Sequence, residues 1–186
     1  MRALAPLSIL WATLAACGGA QVGHGDGSSR RAEHFFPLSE GSAWSYDVDD
    51  GVGTVLAISR VDSRSGRRAN VLDSAGIVVP YEVRDDGIFR PDKGVYLLRE
   101  PLAVGASWAS TAGMTATVTA MDRVVDTPAG RFTGCVEVVQ AGGETGLRIT
   151  TDYCPEVGPA KIVASMQMEG GRAATTTGVL RGWVVR

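Results

Sequence analysis

Read as hydrophobic and polar positions, the chain changes character twice. Ala3 to Ala16 is an apolar run without a charge. The next stretch, "GGAQVGHGDGSSRRAE", offers almost nothing that can be buried. From Phe35 onward, apolar residues recur at alternate positions in short runs. "AWSYDV" puts Trp44, Tyr46 and Val48 on one face. "GTVLAISRVD", "GIVVPYEVRD", "GVYLLR", "MTATVTAMDRVV", "AKIVASMQM" and "TTTGVLRGWVV" are rich in β-branched residues and alternate at least in part. A period of two predicts strands. No stretch of a dozen residues after the first run combines the 3.6-residue period with a cap, so a helical layer is not expected. Turn clusters punctuate the strands: Asp49-Asp50-Gly51, Arg64-Ser65-Gly66, Asp73 to Gly76, Asp85-Asp86-Gly87 and Pro91 to Gly94. Many short strands joined by close turns predict an all-β or nearly all-β fold, an antiparallel meander sheet forming a half-barrel or sandwich. It occupies residues 35–186 as one domain, and Gly76 to Arg99 carries two quick reversals of that meander.

One phrase occurs twice. "PLSEGSAWSY" from Pro37 and "PLAVGASWAS" from Pro101 share Pro-Leu-x-x-Gly-x-x-Trp. At the same offset Val61-Asp62 and Gly66-Arg67 meet Val125-Asp126 and Gly130-Arg131. Phe89-x-Pro91-Asp92-x-Gly94 likewise meets Tyr153-x-Pro155-Glu156-x-Gly158. Either an internal duplication or recurring turn solutions account for this. Both give the motif an architectural role. Proline withholds an N–H and suits the approach to a strand, glycine accepts a tight reversal, and tryptophan buries a large area as the strand begins.

The first apolar run is too short to span a bilayer and follows one positive charge, Arg2, so residues 1–16 read as an export signal. Leu14-Ala15-Ala16-Cys17 resembles the lipobox of bacterial lipoproteins. The resemblance implies cleavage before Cys17 and acylation (palmitate among the chains) of that cysteine, which anchors the protein to a membrane without spanning it. Gly18 in place of an aspartate implies sorting to the outer membrane, facing the periplasm. Residues 17–34 then form a lipidated flexible tether, given their Gly and Ser content.

Charge narrows the partners. The formal charge of −2 becomes one unit more negative when Arg2 leaves, and lysine occurs only at Lys93 and Lys161. No basic surface for nucleic acid is expected. With Cys17 lipidated, Cys135 and Cys154 remain as a pair in an oxidising compartment. "RFTGCVEVVQA" and "GLRITTDYC" read as a hairpin across "GGETG". With Glu144-Thr145 as its turn, Cys135 faces Cys154, Val136 faces Tyr153, Val138 faces Thr151 and Gln140 faces Ile149. The cysteines then share a face with Glu137 and Asp152. A disulfide is expected there; two neighbouring reduced thiols are the alternative.

The phrases "FFPLSEGSAWSYDV", "VRDDGIFRPDKGVYLLREPLAVGASW", "DTPAGRFTGCVEV" and "DYCPEVGPAKIV" together resemble a family of uncharacterised bacterial envelope lipoproteins with PLxxGxxW and PAGxFxxC motifs. Some relatives look like the open half-barrels of lipoprotein carriers and receptors, in which a curved sheet holds an acyl chain. The resemblance implies that fold and no activity.

Catalytic patterns are missing. His24 lies in the tether and His34 just before the domain, so no histidine sits among the strands for a nucleophile–base pair. There is no GxSxG, phosphate loop or HExxH. "DVDDG" at Asp47 to Gly51 lacks the spacing of a calcium loop and reads as a hairpin turn. No cofactor, metal site or enzymatic activity is expected. The expectation is a binding module for an apolar or lipid ligand or an envelope-protein partner, with Trp44, Tyr46, Trp108 and Trp183 as candidate lining residues. The alternative is a structural or interaction lipoprotein with a filled core; a hydrolase is a distant third. Cys17→Ser is expected to abolish incorporation of labelled palmitate and to move the chain out of the membrane fraction. Incorporation that survives the substitution would contradict the anchor.

Overall fold

The computed structural model describes residues 31–167 and 173–186. The export signal, Cys17, His24 and most of the expected tether lie outside these residues. One short helix, α1 (Ala32–Phe35), precedes twelve strands. They are β1 (Ala43–Asp49), β2 (Thr54–Ser65), β3 (Arg68–Asp73), β4 (Val78–Arg84), β5 (Gly87–Arg90) and β6 (Val95–Arg99), then β7 (Ser107–Ala109), β8 (Thr115–Thr127), β9 (Gly130–Ala141), β10 (Leu147–Cys154), β11 (Gly158–Gln167) and β12 (Ala173–Val184). Each alternating run predicted as a strand forms one. Within the stretch 17–34 expected as tether, Ala32 is buried and its N–H donates to Glu100 Oε1 at 2.9 Å; Phe35, the first residue of the expected domain, is buried as well. A lone alanine after two arginines gives no sign in the sequence that it packs.

All twelve strands form one antiparallel sheet, ordered β6-β5-β4-β3-β2-β1-β12-β11-β10-β9-β8-β7. The chain meanders from neighbour to neighbour, and the first strand pairs with the last. Among the described residues only β6 and β7 leave an unpaired seam, which Trp108 bridges by donating its Nε1–H to the Tyr96 carbonyl at 3.1 Å. The result is a nearly closed barrel. Alternation along the meander gives it two ends. The proximal end holds α1, the β2–β3, β4–β5, β8–β9 and β10–β11 turns and the end of β12. The distal end holds the β1–β2, β3–β4, β5–β6, β9–β10 and β11–β12 connections.

The repeated motif opens β1 and β7, the first strands of two six-strand runs. Gly41 and Gly105 both take a positive φ, 83° and 89°, which is inexpensive only without a Cβ. The Gly41 N–H donates to the Val61 carbonyl at 3.0 Å, and the Val61 N–H returns to Ser42 O at 2.8 Å. The Gly105 N–H donates to Val118 O and the Val118 N–H to Ala106 O, both at 2.9 Å. Leu38, Leu102, Trp44 and Trp108 are all buried. Two entrances to the sheet are therefore built alike. The constant offset fails beyond them, because Val118 and not Val125 takes the place of Val61. The Phe89 and Tyr153 phrases close the β5–β6 and β10–β11 turns, which do not correspond under a six-strand shift. That third likeness is a shared turn solution.

Packing fills the proximal half. Phe36 sits with its ring centroid 5.5 Å from Trp44, 5.3 Å from Tyr81 and 6.5 Å from Tyr153, and so ties β1, β4 and β10 together from inside. Such aromatic pairs are worth about 0.5–1.5 kcal/mol each beyond their buried area. The long β8–β9 hairpin supplies the rest. Its register slips at three places between Val118 and Val125, and bulges of this kind bend a strand. The bent tip reaches β12, where the Ala129 N–H donates to Leu180 O at 3.0 Å and Phe132 meets Trp183 edge-on at 5.1 Å.

The expected β9–β10 register is observed: Val136 pairs with Tyr153, Val138 with Thr151 and Gln140 with Ile149. Cys135 and Cys154 form a disulfide, both fully buried. The bridge pins β9 to β10 beside the bulged part of β8, where Cys135 faces Arg123. The closed loop spans a sequence separation of 19, for which chain entropy gives a stabilisation of about 3 kcal/mol. Cys135→Ser with Cys154→Ser is expected to lower the unfolding free energy by about that amount in urea melts. A loss below about 1 kcal/mol would show that the bend holds without the bridge.

Candidate functional site

The inner face changes from packed to open along β1. Trp44, nearest the proximal end, is buried and donates its indole N–H to the Val157 carbonyl. Tyr46, two residues on, donates its hydroxyl to Pro159 O at 2.9 Å. Burial pushes the Tyr46 phenol well above its ordinary value, so it stays neutral. Beyond Tyr46 the interior empties into a groove of about 310 Å³ at the distal end. Its walls include Val48, Ala57, Ile162, Ala164 and Thr176, brought together because Tyr46 pairs with Ala57 on β2, and Val48 with Gly178 on β12. Gly178 keeps the floor low, since a Cβ there would lie 3.7 Å from Val48 Cγ2.

The opposite lip is the β3–β4 turn with Asp73 and Ser74. Asp73 Oδ1 accepts the backbone N–H groups of Ala75 and Ile77 at 2.9 and 2.8 Å, so the carboxylate is committed to its own turn. The remaining polar lining is hydroxyl: Ser59, Ser74 and Thr176. Around the mouth, Val52, Val55, Ile77 and Val78 are solvent-exposed. The groove therefore offers apolar contact and a few hydroxyls, with no acid–base pair and no ligand set for a metal. Among the described residues no cluster of three or more His, Cys, Asp or Glu is placed to hold a metal ion. In the "DVDDG" turn, Asp50 Oδ1 accepts from Val52 and Gly53, and these bonds hold its carboxyl below the usual range.

The four candidate lining residues are dispersed. Tyr46 lines the groove. Trp44 packs in the proximal core on Phe36. Trp108 lies at the seam. Trp183 stands at the proximal end, 42% exposed and braced by Phe132. The residues that shape the groove are mostly small ones, which the alternation of large side chains does not flag.

A second polar feature lies on the face shared with the disulfide. Arg123 reaches Glu137 Oε2 at 2.8 Å and lies 2.9 Å from Asp152 Oδ1 through Nε, although that N–H is not aimed at the oxygen. Asp152 pairs across the strands with Glu137 and Lys161. Its side chain is only 5% exposed, and burial raises its pKa against the pull of Arg123. Both carboxylates lie within ion-pair distance of one guanidinium, and neither is among the residues that line the groove. The arrangement is an ion cluster that braces the bulge.

No protein-family model and no curated protein matches the chain. Its fold is similar to that of a candidate exported protein with a YmcC-like fold from Bacteroides fragilis NCTC 9343. The TM-score is 0.50 at 13% identity, over 78% of this chain and 96% of that one. A candidate lipoprotein from Parabacteroides distasonis ATCC 8503 aligns with a TM-score of 0.44 at 15% identity, over 81% and 98% of the two chains. The first likeness shows a shared fold.

Asp152 gives a pH dependence with a definite sign. Well below the ordinary carboxylate value of 3.8 it is protonated in both folded and unfolded chains and makes no titration-linked contribution. As pH rises from 3.8 through its raised folded value, the unfolded chain ionises first and the folded state is progressively disfavoured. The stability of the wild type relative to Asp152→Asn is expected to fall across that window and then level off, as read by urea melts at a series of pH values. A difference that grows with pH would show that Arg123 outweighs burial.

Proposed function

We propose that the protein is an exported lipoprotein, held by Cys17 at the periplasmic side of the outer membrane. In this reading its distal groove takes an apolar, lipid-like chain. The observation that carries it is an open, mostly apolar hollow in a barrel whose other half is filled with side chains. At about 310 Å³ the groove stands near the lower bound of about 300–1,000 Å³ for ligand sites, room for one chain or the end of a longer one. The exposed apolar rim extends that contact outward. The work of such a module is binding; neither catalysis nor nucleic acid enters this reading. A second reading, an interaction lipoprotein without a small-molecule site, draws support from the packed proximal half.

Titration with cis-parinaric acid separates the two. The wild-type chain is expected to enhance the fluorescence saturably, and native mass spectra of freshly purified protein to carry lipid adducts. Ala164→Trp places an indole in the groove and is expected to weaken parinaric acid binding at least about tenfold, or about 1.4 kcal/mol, while circular dichroism is unchanged. No fluorescence enhancement together with a bare mass would leave the second reading standing.

A further inference from the structure

The proximal end holds a larger hollow, of about 790 Å³, that the distal groove does not involve. One wall is the start of the folded domain, with Arg31, His34 and Pro37; the other is the end of β12, with Trp183 and Val184; Glu156 enters from the β10–β11 turn. Trp44 and Trp108 are buried, yet Trp183 is 42% and Val184 45% exposed. Phe132 braces one edge of the Trp183 ring. Glu33 is paired with Arg64 at 2.9 Å, whereas Arg31 and Glu156 make no ion pair among the described residues. The hollow thus combines a braced indole, an apolar edge, the Glu33 carboxylate held by Arg64, and one cation and one anion without an ion-pair partner among the described residues. An amphipathic ring beside charged groups is suited to the headgroup layer of a bilayer.

Position decides what meets it. The stretch from Cys17 to Arg31 reaches at most about 50 Å when fully extended, and it joins the domain at this hollow. With Cys17 acylated, the lipid-bearing stretch enters the domain at this end. Tethering turns a weak headgroup contact into an intramolecular one at high effective concentration, so modest affinity suffices to seat the domain.

We infer that the proximal hollow is a membrane-seating site for zwitterionic phospholipid headgroups: Trp183 and Val184 enter the interface, Arg31 meets the phosphate and Glu156 the ammonium. The inference rests on the anchor at Cys17 and is independent of the distal groove. Its test uses the chain beginning at Gly18, expressed without signal or lipid and mixed with vesicles of phosphatidylethanolamine and phosphatidylglycerol. Co-sedimentation is expected, with a blue shift of tryptophan emission and quenching by brominated acyl chains, because Trp183 is the exposed indole. Trp183→Ser and Val184→Asp, each with unchanged circular dichroism, are expected to weaken sedimentation at least about tenfold, and Leu56→Ser, on the outer face of β2 and outside the groove, to leave it intact. No vesicle binding, binding indifferent to both proximal substitutions, or binding lost with Leu56→Ser would overturn the inference. Since this chain bears no lipid, failure of the Cys17 anchor leaves these readouts unchanged and shows separately as absent palmitate labelling.

Discussion

The width of the sheet governs everything else in this molecule. About eight strands make a barrel that its own inward side chains just fill. Twelve strands enclose more than alternating valines and leucines can occupy. A closed sheet of this width with nothing inside would leave its lining without contacts, a cost the small margin of folding stability does not cover. The chain answers with two fillers. Phe36, delivered by α1, packs on Trp44, Tyr81 and Tyr153. The β8–β9 hairpin bends at its bulges until Ala129 and Phe132 meet β12. The disulfide and the Arg123 cluster sit at that bend, where a misplaced strand would withdraw the second filler.

Both fillers act at the proximal end, and this asymmetry gives the barrel its polarity. Tyr46 marks the boundary: its hydroxyl is bound to Pro159 behind it, and its ring looks onto the distal groove. Past it, Ala57, Ala164 and Gly178 leave space where larger residues would have closed the sheet on itself. The proposed ligand site and the proposed membrane contact then lie at opposite ends of one body. A chain bound distally is presented away from the surface that holds the protein.

Much of the local structure was legible in the residues. The β9–β10 register followed from a short turn and from two cysteines that a one-residue slip would have separated. The repeated proline, glycine and tryptophan positions were readable as two strand entrances because each has a backbone reason to be there. Closure was not legible. Nothing local says that β1 pairs with β12, since that contact joins the two ends of the meander. Residues Ala32 to Phe35 are too few to show helical periodicity, and the bulges of β8 hide within "ATVTAMDRVV", which still alternates to the eye. Of the candidate tryptophans, Trp44 and Trp108 are buried and Trp183 is exposed, and none lines the groove, whose defining residues are small. Missing volume leaves no mark in a hydrophobic pattern.

The central claim is that one barrel is sealed at one end and open at the other. Paramagnetic relaxation of methyl resonances by a soluble nitroxide tests it most directly. The account predicts strong relaxation at Val48 and Ile162 in the groove, and protection of Leu38, Val61 and Leu180, which are almost wholly buried. Equal protection of all five would mean that the sheet is packed shut throughout, and relaxation at Leu38 and Val61 would mean that the proximal filling does not seal it.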